Sequence, residues 1–117
     1  MDELPVLDQA RLNLITRGNA ALANEFLGGL FEEAGELIGQ LDALIASADR
    51  TALADVAHTL KGMASEVGAL RLRAAAAALE AEAEPARWPG HAGMVTAALT
   101  ELQSHCGRSA LADDRLP

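Results

Sequence analysis

His58, Lys61 and Gly62 are the residues of this chain whose types and spacing best suit chemistry. They lie in the stretch AHTLKGMASEVGA, residues 57–69, at positions i, i+3 and i+4 of a helical pattern. Such positions share one face of a helix. An imidazole nitrogen is a nucleophile near neutral pH, an ammonium group offsets the charge of an anion, and glycine leaves room for a second molecule. The set suits phosphoryl transfer.

A helical wheel of residues 51–67 separates His58 from the predicted core. The apolar positions lie within about 40° of the direction opposite His58; they are Leu53, Val56, Leu60, Met63 and Val67. The positions within about 60° of His58 are small or polar; they are Thr51, Ala54, Asp55, Lys61, Gly62 and Ser65. We therefore predict that His58 is exposed at the middle of its helix. Asp55 either orients the imidazole ring or is only an acidic residue early in the helix.

The composition predicts an all-α fold that positions this helix. Hydrophobic residues make up 50% of the chain but only 3% are aromatic, so leucine and alanine must build the core. Val, Ile and Thr together number only 12, which disfavours a sheet. A length of 117 residues suits one domain, residues 1–117, with an ordered core of about 6–106 and a tail of about 107–117.

Hydrophobic periodicity predicts four amphipathic helices in an antiparallel bundle, with an additional short N-terminal helix. The predicted spans are about 8–16, 20–48, 51–67, 70–84 and 91–106. Asp8 is the expected N-cap of the first helix, and Gly68 ends the third. Phe26 and Ala83 belong to predicted inner stripes, and Trp88 is expected to seal the loop at 84–90. Close helix packing is the expected reason for the glycines of the long helix, namely Gly28, Gly29, Gly35 and Gly39.

The net charge of −8 argues against nucleic acid and anionic membranes as partners. No stretch approaches the roughly 20 apolar residues of a membrane span, and MDELPVLDQA lacks the apolar run of a signal peptide. A single cysteine, Cys106, excludes an internal disulfide and fits a reducing compartment. We expect a cytoplasmic monomer, and the initial methionine and polar tail favour a stand-alone protein.

At these residues the sequence resembles the histidine-containing phosphotransfer (HPt) domains of two-component phosphorelays. The carriers are AHTLKGMASEVGA, the following LRLRAAAAALE with Leu72 and the Leu79-Glu80 pair, and the upstream FLGGLFEEAGELIGQLDALIASADRTAL. The resemblance implies a four-helix bundle in which His58 accepts the phosphoryl group, Lys61 stabilises it and Gly62 clears space for a receiver domain. Met63 departs from the smaller residue usual in the family, and its wheel position favours an effect on packing.

The resemblance also implies partners: response-regulator receiver domains, a hybrid histidine kinase, or both. It places Mg²⁺ and the acceptor aspartate on the receiver, so we expect no cofactor and no metal on this chain. The sequence contains neither a Walker A loop nor a kinase-type glycine-rich loop, which agrees with a phosphotransfer protein that has no kinase activity. The predicted docking residues around His58 are Gly62, Ser65, Ala54, Asp55, Arg71 and Arg73.

Two other functions remain open from the sequence. One is a helical-bundle binding module that grips a signalling partner without chemistry. The other is a metal-binding bundle that uses His58, His91, His105 and Cys106, although no i, i+4 pair includes His58. Arg71 and Arg73 likewise have two interpretations, since they either add positive potential near the site or form a solvated helix start.

Overall fold

The structure, a computed structural model, describes residues 4–114, with side chains for residues 4–107. Its α-helices are α1 (Gln9–Thr16), α2 (Ala20–Ala46), α3 (Arg50–Val67), α4 (Leu70–Ala81) and α5 (Trp88–Asp114), and a 3₁₀ turn spans Pro85–Arg87. The described residues include no strand, so the all-α prediction is confirmed. No helix in this part of the chain is long and apolar enough to cross a bilayer.

Side-chain caps fix where the first three helices begin. Asp8, Asn19 and Asp49 precede α1, α2 and α3, and each side chain accepts a hydrogen bond from a backbone N–H of the first helical turn. Such caps satisfy backbone donors that have no partner within the helix. The predicted N-cap at Asp8 is therefore confirmed.

Gly68 ends α3 with a left-handed backbone, at φ +83°. A Cβ at this position would lie 3.0 Å from both the Cβ and the carbonyl oxygen of Asp8. Glycine is thus required for its conformation and for the close approach of the N-terminal segment. The same contact includes a hydrogen bond from the Asp8 N–H to the Gly68 carbonyl oxygen, at 2.7 Å.

The four longer helices pack in a ring, since α3 contacts α2 and α4, and α5 contacts α4 and α2. Short connections make neighbouring helices antiparallel. Leucine and alanine dominate the core, as the composition predicted. On α3 the inner stripe matches the wheel, with Leu53, Val56, Leu60 and Val67 buried and Met63 partly buried.

The face of α2 that is buried in the core differs from the predicted one. Phe26 is 42% exposed, and the adjacent Leu27 is buried instead. A Cβ at any of the four glycines of α2 would meet no other atom within 4 Å. Close helix packing is therefore the wrong explanation for these glycines, because their face of α2 points to solvent. The helix ends at Ala46 since Ala48 adopts a positive φ of 54°.

The connection between α4 and α5 lies about three residues earlier in the chain than predicted, at 82–87. Glu82 has an extended backbone, so α4 stops at Ala81, and Ala83 is exposed rather than part of an inner stripe. Trp88 is only 1% exposed, as expected for a residue that seals the loop, but it begins α5 itself. At its other end α5 continues to Asp114, beyond the predicted end at 106, while 115–117 lie outside the described residues.

Candidate functional site

His58 lies at the middle of α3 with 69% of its side chain exposed. The neighbouring Ala57 is fully buried and Leu60 is inaccessible, so the core side of α3 holds the helix in place. The outward orientation predicted from the wheel is confirmed. An exposed imidazole on a firmly packed helix is open to a second protein without any movement of the backbone.

One carboxylate from the next helix contacts the imidazole ring of His58 and orients it. Glu80 of α4 places Oε2 2.9 Å from His58 Nδ1 and Oε1 2.7 Å from Lys61 Nζ. The carboxylate thus bridges the imidazole and the ammonium group, and its side chain is 27% exposed. The bridge fixes His58 and Lys61 relative to each other and to α4.

The ionisation of Glu80 decides which nitrogen of His58 carries the proton. The Lys61 ammonium, and then the hydrogen bond from His58, lower the pKa of Glu80 below 4.5, although desolvation opposes this shift. An ionised carboxylate only accepts hydrogen bonds. His58 Nδ1–H is therefore the donor, and in the neutral imidazole this leaves the lone pair on Nε2. This is the tautomer that a nucleophilic Nε2 requires.

Glu80 was not among the site residues predicted from the sequence. The α3–α4 hairpin turns at Gly68, with His58 ten residues before it and Glu80 twelve residues after it. In an antiparallel hairpin, residues at nearly equal distances from the turn lie side by side. This register is the sequence signal that could have paired Glu80 with His58.

Gly62 and Ser65 lie on the exposed side of α3 close to His58. A Cβ at Gly62 would meet no atom within 4 Å, so helix packing does not require a glycine there. The Ser65 hydroxyl donates a hydrogen bond to the Lys61 carbonyl oxygen at 2.9 Å. Neither residue has a long side chain that would block access to the imidazole.

Ala54 and Asp55 flank His58 one turn earlier on α3. Ala54 is half-buried and Asp55 is exposed. The backbone carbonyl of Asp55 accepts a hydrogen bond from the Thr59 hydroxyl at 3.0 Å. The carboxylate that meets the imidazole ring is that of Glu80, so the ring-orienting role considered for Asp55 belongs to Glu80.

Arg71 and Arg73 occupy different sides of α4. Arg71 donates to Glu101 Oε2 at 2.6 Å and to the Leu4 carbonyl oxygen at 2.5 Å. It lies nine positions before Glu80, which is about 180° around the helix. Arg73 is exposed and lies seven positions before Glu80, on the same face. The structure thus brings Arg73, but not Arg71, onto the side of α4 that carries Glu80.

The residues of the metal-binding alternative do not converge. Within the described residues, no three His, Cys, Asp or Glu side chains are placed to hold a metal ion. His91 Nε2 lies 2.8 Å from Glu82 Oε1 instead. Cys106 is half-buried, and desolvation raises the pKa of its thiol.

A comparison with protein families matches residues 25–105 to the Hpt domain. The chain belongs to the Hpt-domain family. The Hpt match contains His58, Lys61 and Glu80, and it begins after α1, within α2. This membership makes the chain a phosphotransfer module of two-component phosphorelays. Neither the curated proteins nor the solved structures provide a match.

Proposed function

We propose that this Hpt domain accepts a phosphoryl group on His58 and exchanges it with the aspartate of response-regulator receiver domains. The observation that supports this proposal is the bridged geometry of the site. His58 is exposed, its Nδ1–H is bound by Glu80, and Glu80 also holds Lys61. The arrangement offers a free Nε2 lone pair next to a cation.

The transfer that we propose begins when His58 Nε2 attacks the phosphorus of an aspartyl phosphate on the receiver. The N–P bond forms as the P–O bond to the aspartate breaks, and the receiver recovers its carboxylate. No proton has to leave Nδ1, so the phosphorylated ring carries a positive charge that the Glu80 carboxylate offsets. Return of the group to a receiver reverses these steps. We assign any Mg²⁺ requirement to the receiver.

Lys61 supplies the positive charge that the phosphoryl oxygens require. Its ammonium is 2.7 Å from Glu80, and its side chain is 32% exposed. A phosphoryl group on His58 competes with Glu80 for this cation, and the flexible four-carbon stem allows the ammonium to turn toward the phosphoryl oxygens. Positioning and charge neutralisation are the main contributions that a protein makes to phosphoryl transfer.

The surface around His58 supports docking of a receiver. Gly62, one turn after His58, leaves open space on the exposed side of α3. Farther around α3, a shallow groove of about 380 Å³ between α1, α2 and α3 is lined in part by Phe26, Gly29 and Met63. Phe26 is among the exposed large hydrophobic residues of the described chain, so this side offers apolar contacts to a partner.

The test is transfer from a panel of purified receivers, each phosphorylated and then mixed with this protein. We expect an acid-labile, base-stable phosphate that peptide mapping places on His58. Incubation of the protein alone with ATP and Mg²⁺ should give no label, since the sequence has no nucleotide-binding loop.

Two results would contradict the proposal. A phosphate on another residue would remove His58 from its role. Receiver binding without any phosphate transfer across the panel would favour the binding module that lacks chemistry.

A further inference from the structure

A second surface feature is an apolar groove between α4 and α5, with a volume of about 900 Å³. Its floor and walls include Ala74 and Ala78 of α4 and Ala97 of α5. Met94 stands in this groove with 64% of its surface exposed, and Leu4 lies at the rim, 50% exposed. The groove thus offers apolar surface that a second molecule is able to cover.

The groove opens away from the phosphotransfer site. Ala78 lines the groove, whereas Glu80, two positions later on α4, contacts His58. Two positions correspond to about 200° around a helix. A partner in the groove therefore leaves His58 accessible.

The groove-lining residues of α5, together with Arg87 directly before it, follow the spacing of a helix-packing seam. Arg87, Gly90, Met94, Ala97 and Glu101 all line the groove, at alternating intervals of three and four residues. Such spacing keeps the residues on one stripe of a helix. Glu101 lies seven residues after Met94, which is about 10 Å along the helix axis, and Arg87, at the end of the 3₁₀ turn that leads into α5, lies seven residues before it.

Arg87 and Glu101 carry opposite charges at equal distances along the chain from Met94, which suits a second copy of the same surface as the partner. We propose that the groove binds the same groove of a second copy of this chain, with the two α5 helices antiparallel and a two-fold axis near Met94. In that arrangement Arg87 of each copy faces Glu101 of the other. Each Met94 packs against the alanines of the opposite groove, and Gly90 faces Ala98 of the second copy. Such an interface is self-complementary and closes as a dimer.

The charged residues at the ends of the seam are able to make these contacts. Arg87 is exposed and, among the described residues, forms no ion pair. The hydrogen bond with His91 is the main cause of the lowered pKa of Glu82, and the charge of Arg87 adds to it. Glu101 has 45% of its side chain exposed, and it binds Arg71 through Oε2. Its Oε1 atom is left to accept from Arg87 of the second copy.

Net charge opposes this association, since each copy carries −8. The repulsion is long-range and is screened at physiological ionic strength, where the Debye length is about 8 Å. The proposed dimer differs from the monomer that we expect from the sequence alone, because the sequence does not reveal the groove.

The first test is sedimentation equilibrium of the whole chain from micromolar to millimolar concentration at about 0.15 M salt. The wild type should show a monomer–dimer equilibrium, and Met94→Glu should be monomeric. Gln103→Glu is the matched control, because it adds the same charge on an exposed position about 180° around α5 from Met94. It should dimerise as the wild type does.

Charge reversal tests the antiparallel register. Arg87→Glu alone and Glu101→Arg alone should each be monomeric, because each places like charges opposite one another twice. An equimolar mixture of the two variants should form a heterodimer, since both cross-copy pairs are then attractive. All these variants should still accept phosphate on His58, so the outcome is independent of the proposed phosphotransfer function.

The proposal is overturned by a wild type that stays monomeric over the whole concentration range. It is also overturned by a dimer that persists in Met94→Glu, or by a variant mixture that does not associate. A dimer with those properties would use another surface or another register.

Discussion

Two histidine–glutamate pairs lie close together in this molecule, and they differ in what surrounds them. His58 Nδ1 contacts Glu80 at 2.9 Å, and His91 Nε2 contacts Glu82 at 2.8 Å. Both carboxylates come from the C-terminal end of α4 and its extended cap. The side chains of the first pair are 69% and 27% exposed, whereas those of the second are 28% and 15% exposed.

The second pair stabilises a chain connection. The Glu82 carboxylate also accepts a hydrogen bond from the Glu84 N–H at 3.2 Å, and the Glu82 carbonyl oxygen accepts one from the buried Trp88 indole at 3.0 Å. His91 is thereby tied to the segment that joins α4 to α5. The first pair instead has a lysine and open space beside it. Nearly equal hydrogen bonds therefore lie in different surroundings, and exposure and the adjacent cation are the reasons for which we propose His58, and not His91, as the phosphate acceptor.

The two histidines should differ most when each is removed in turn. His58→Gln should abolish phosphate acceptance, because the nucleophile is lost. His91→Gln should accept phosphate at the wild-type rate and lower the melting temperature, since its contact is structural. Labelling by a phosphorylated receiver and thermal unfolding of both variants provide the measurements. Label on His91 in either protein would remove the distinction between the pairs.

Reducing access to His58 should make it behave more like His91. Gly62→Gln places a long side chain beside the imidazole, and we expect transfer slower by at least about tenfold through weaker docking. Gly62→Ala should slow transfer less and stabilise the fold by about 0.5–1 kcal/mol, since alanine favours a helix and the site is open.

The matched control is Gly93→Gln on α5, the helix diagonal to α3, where a Cβ also meets no atom within 4 Å. It should transfer at the wild-type rate. If Gly62→Gln transfers equally fast, docking clearance is not the reason for the glycine.

The Lys61 ammonium lies beside the His58–Glu80 pair, whereas among the described residues the His91–Glu82 pair has no lysine beside it, so removal of the ammonium tests the role of this cation. Lys61→Ala should fold normally, because surface substitutions usually change stability by less than about 0.5 kcal/mol. It should slow transfer by about tenfold or shorten the lifetime of the phosphohistidine, since an ammonium near a dianion is a charge-assisted contact. Transfer rate and phosphohistidine half-life are the measurements. Wild-type values for both would leave Lys61 without a role in the reaction.

Substitution of the bridging carboxylate separates its hydrogen bond from its charge. Glu80→Gln retains an oxygen that accepts from His58 Nδ1–H, whereas Glu80→Ala retains neither property. We expect Glu80→Ala to lose several-fold to about tenfold in rate, and Glu80→Gln to lose less. The ring-nitrogen NMR signals of His58 should show the proton on Nδ1 in the wild type and in Glu80→Gln. An unchanged rate in Glu80→Ala would contradict the positioning role.

The smallest expected effect is the pH dependence of the structural pair. His91, and then the Glu84 N–H, lower the pKa of Glu82 below 4.5. This stabilisation is fully present above pH 4.5 and is lost as the pH falls through the lowered value. Melting temperatures of the wild type and Glu82→Gln should therefore differ at neutral pH and converge in acid. A difference that persists under acid conditions would show that ionisation of Glu82 is not the cause.

Local patterns predicted most of the fold and part of the site. The wheel of α3 predicted the exposure of His58 and the burial of its opposite stripe, because an amphipathic period survives packing. Asp8 and Gly68 marked helix ends through their own backbone chemistry. Contacts between helices were harder to predict from the sequence. Glu80 enters the site through the register of the α3–α4 hairpin, and the exposure of Phe26 depends on how α2 is rotated against its neighbours.

The first helix contributes to the core although it lies outside the residues that match the family. The Hpt match starts at residue 25, yet Leu12 of α1 is 2% exposed within the core, and the Asp8 N–H and the Arg11 guanidinium bond to the carbonyl oxygens of Gly68 and Glu66. Truncation of one buried leucine to alanine typically costs about 2–5 kcal/mol, a large share of the roughly 5–15 kcal/mol that separates folded from unfolded domains. A protein trimmed to the matched residues would lose this side chain and the two hydrogen bonds that tie the N-terminal segment to the α3–α4 hairpin. Excision at the family boundary should therefore yield a fragment that is marginal in stability, although it retains His58, Lys61 and Glu80.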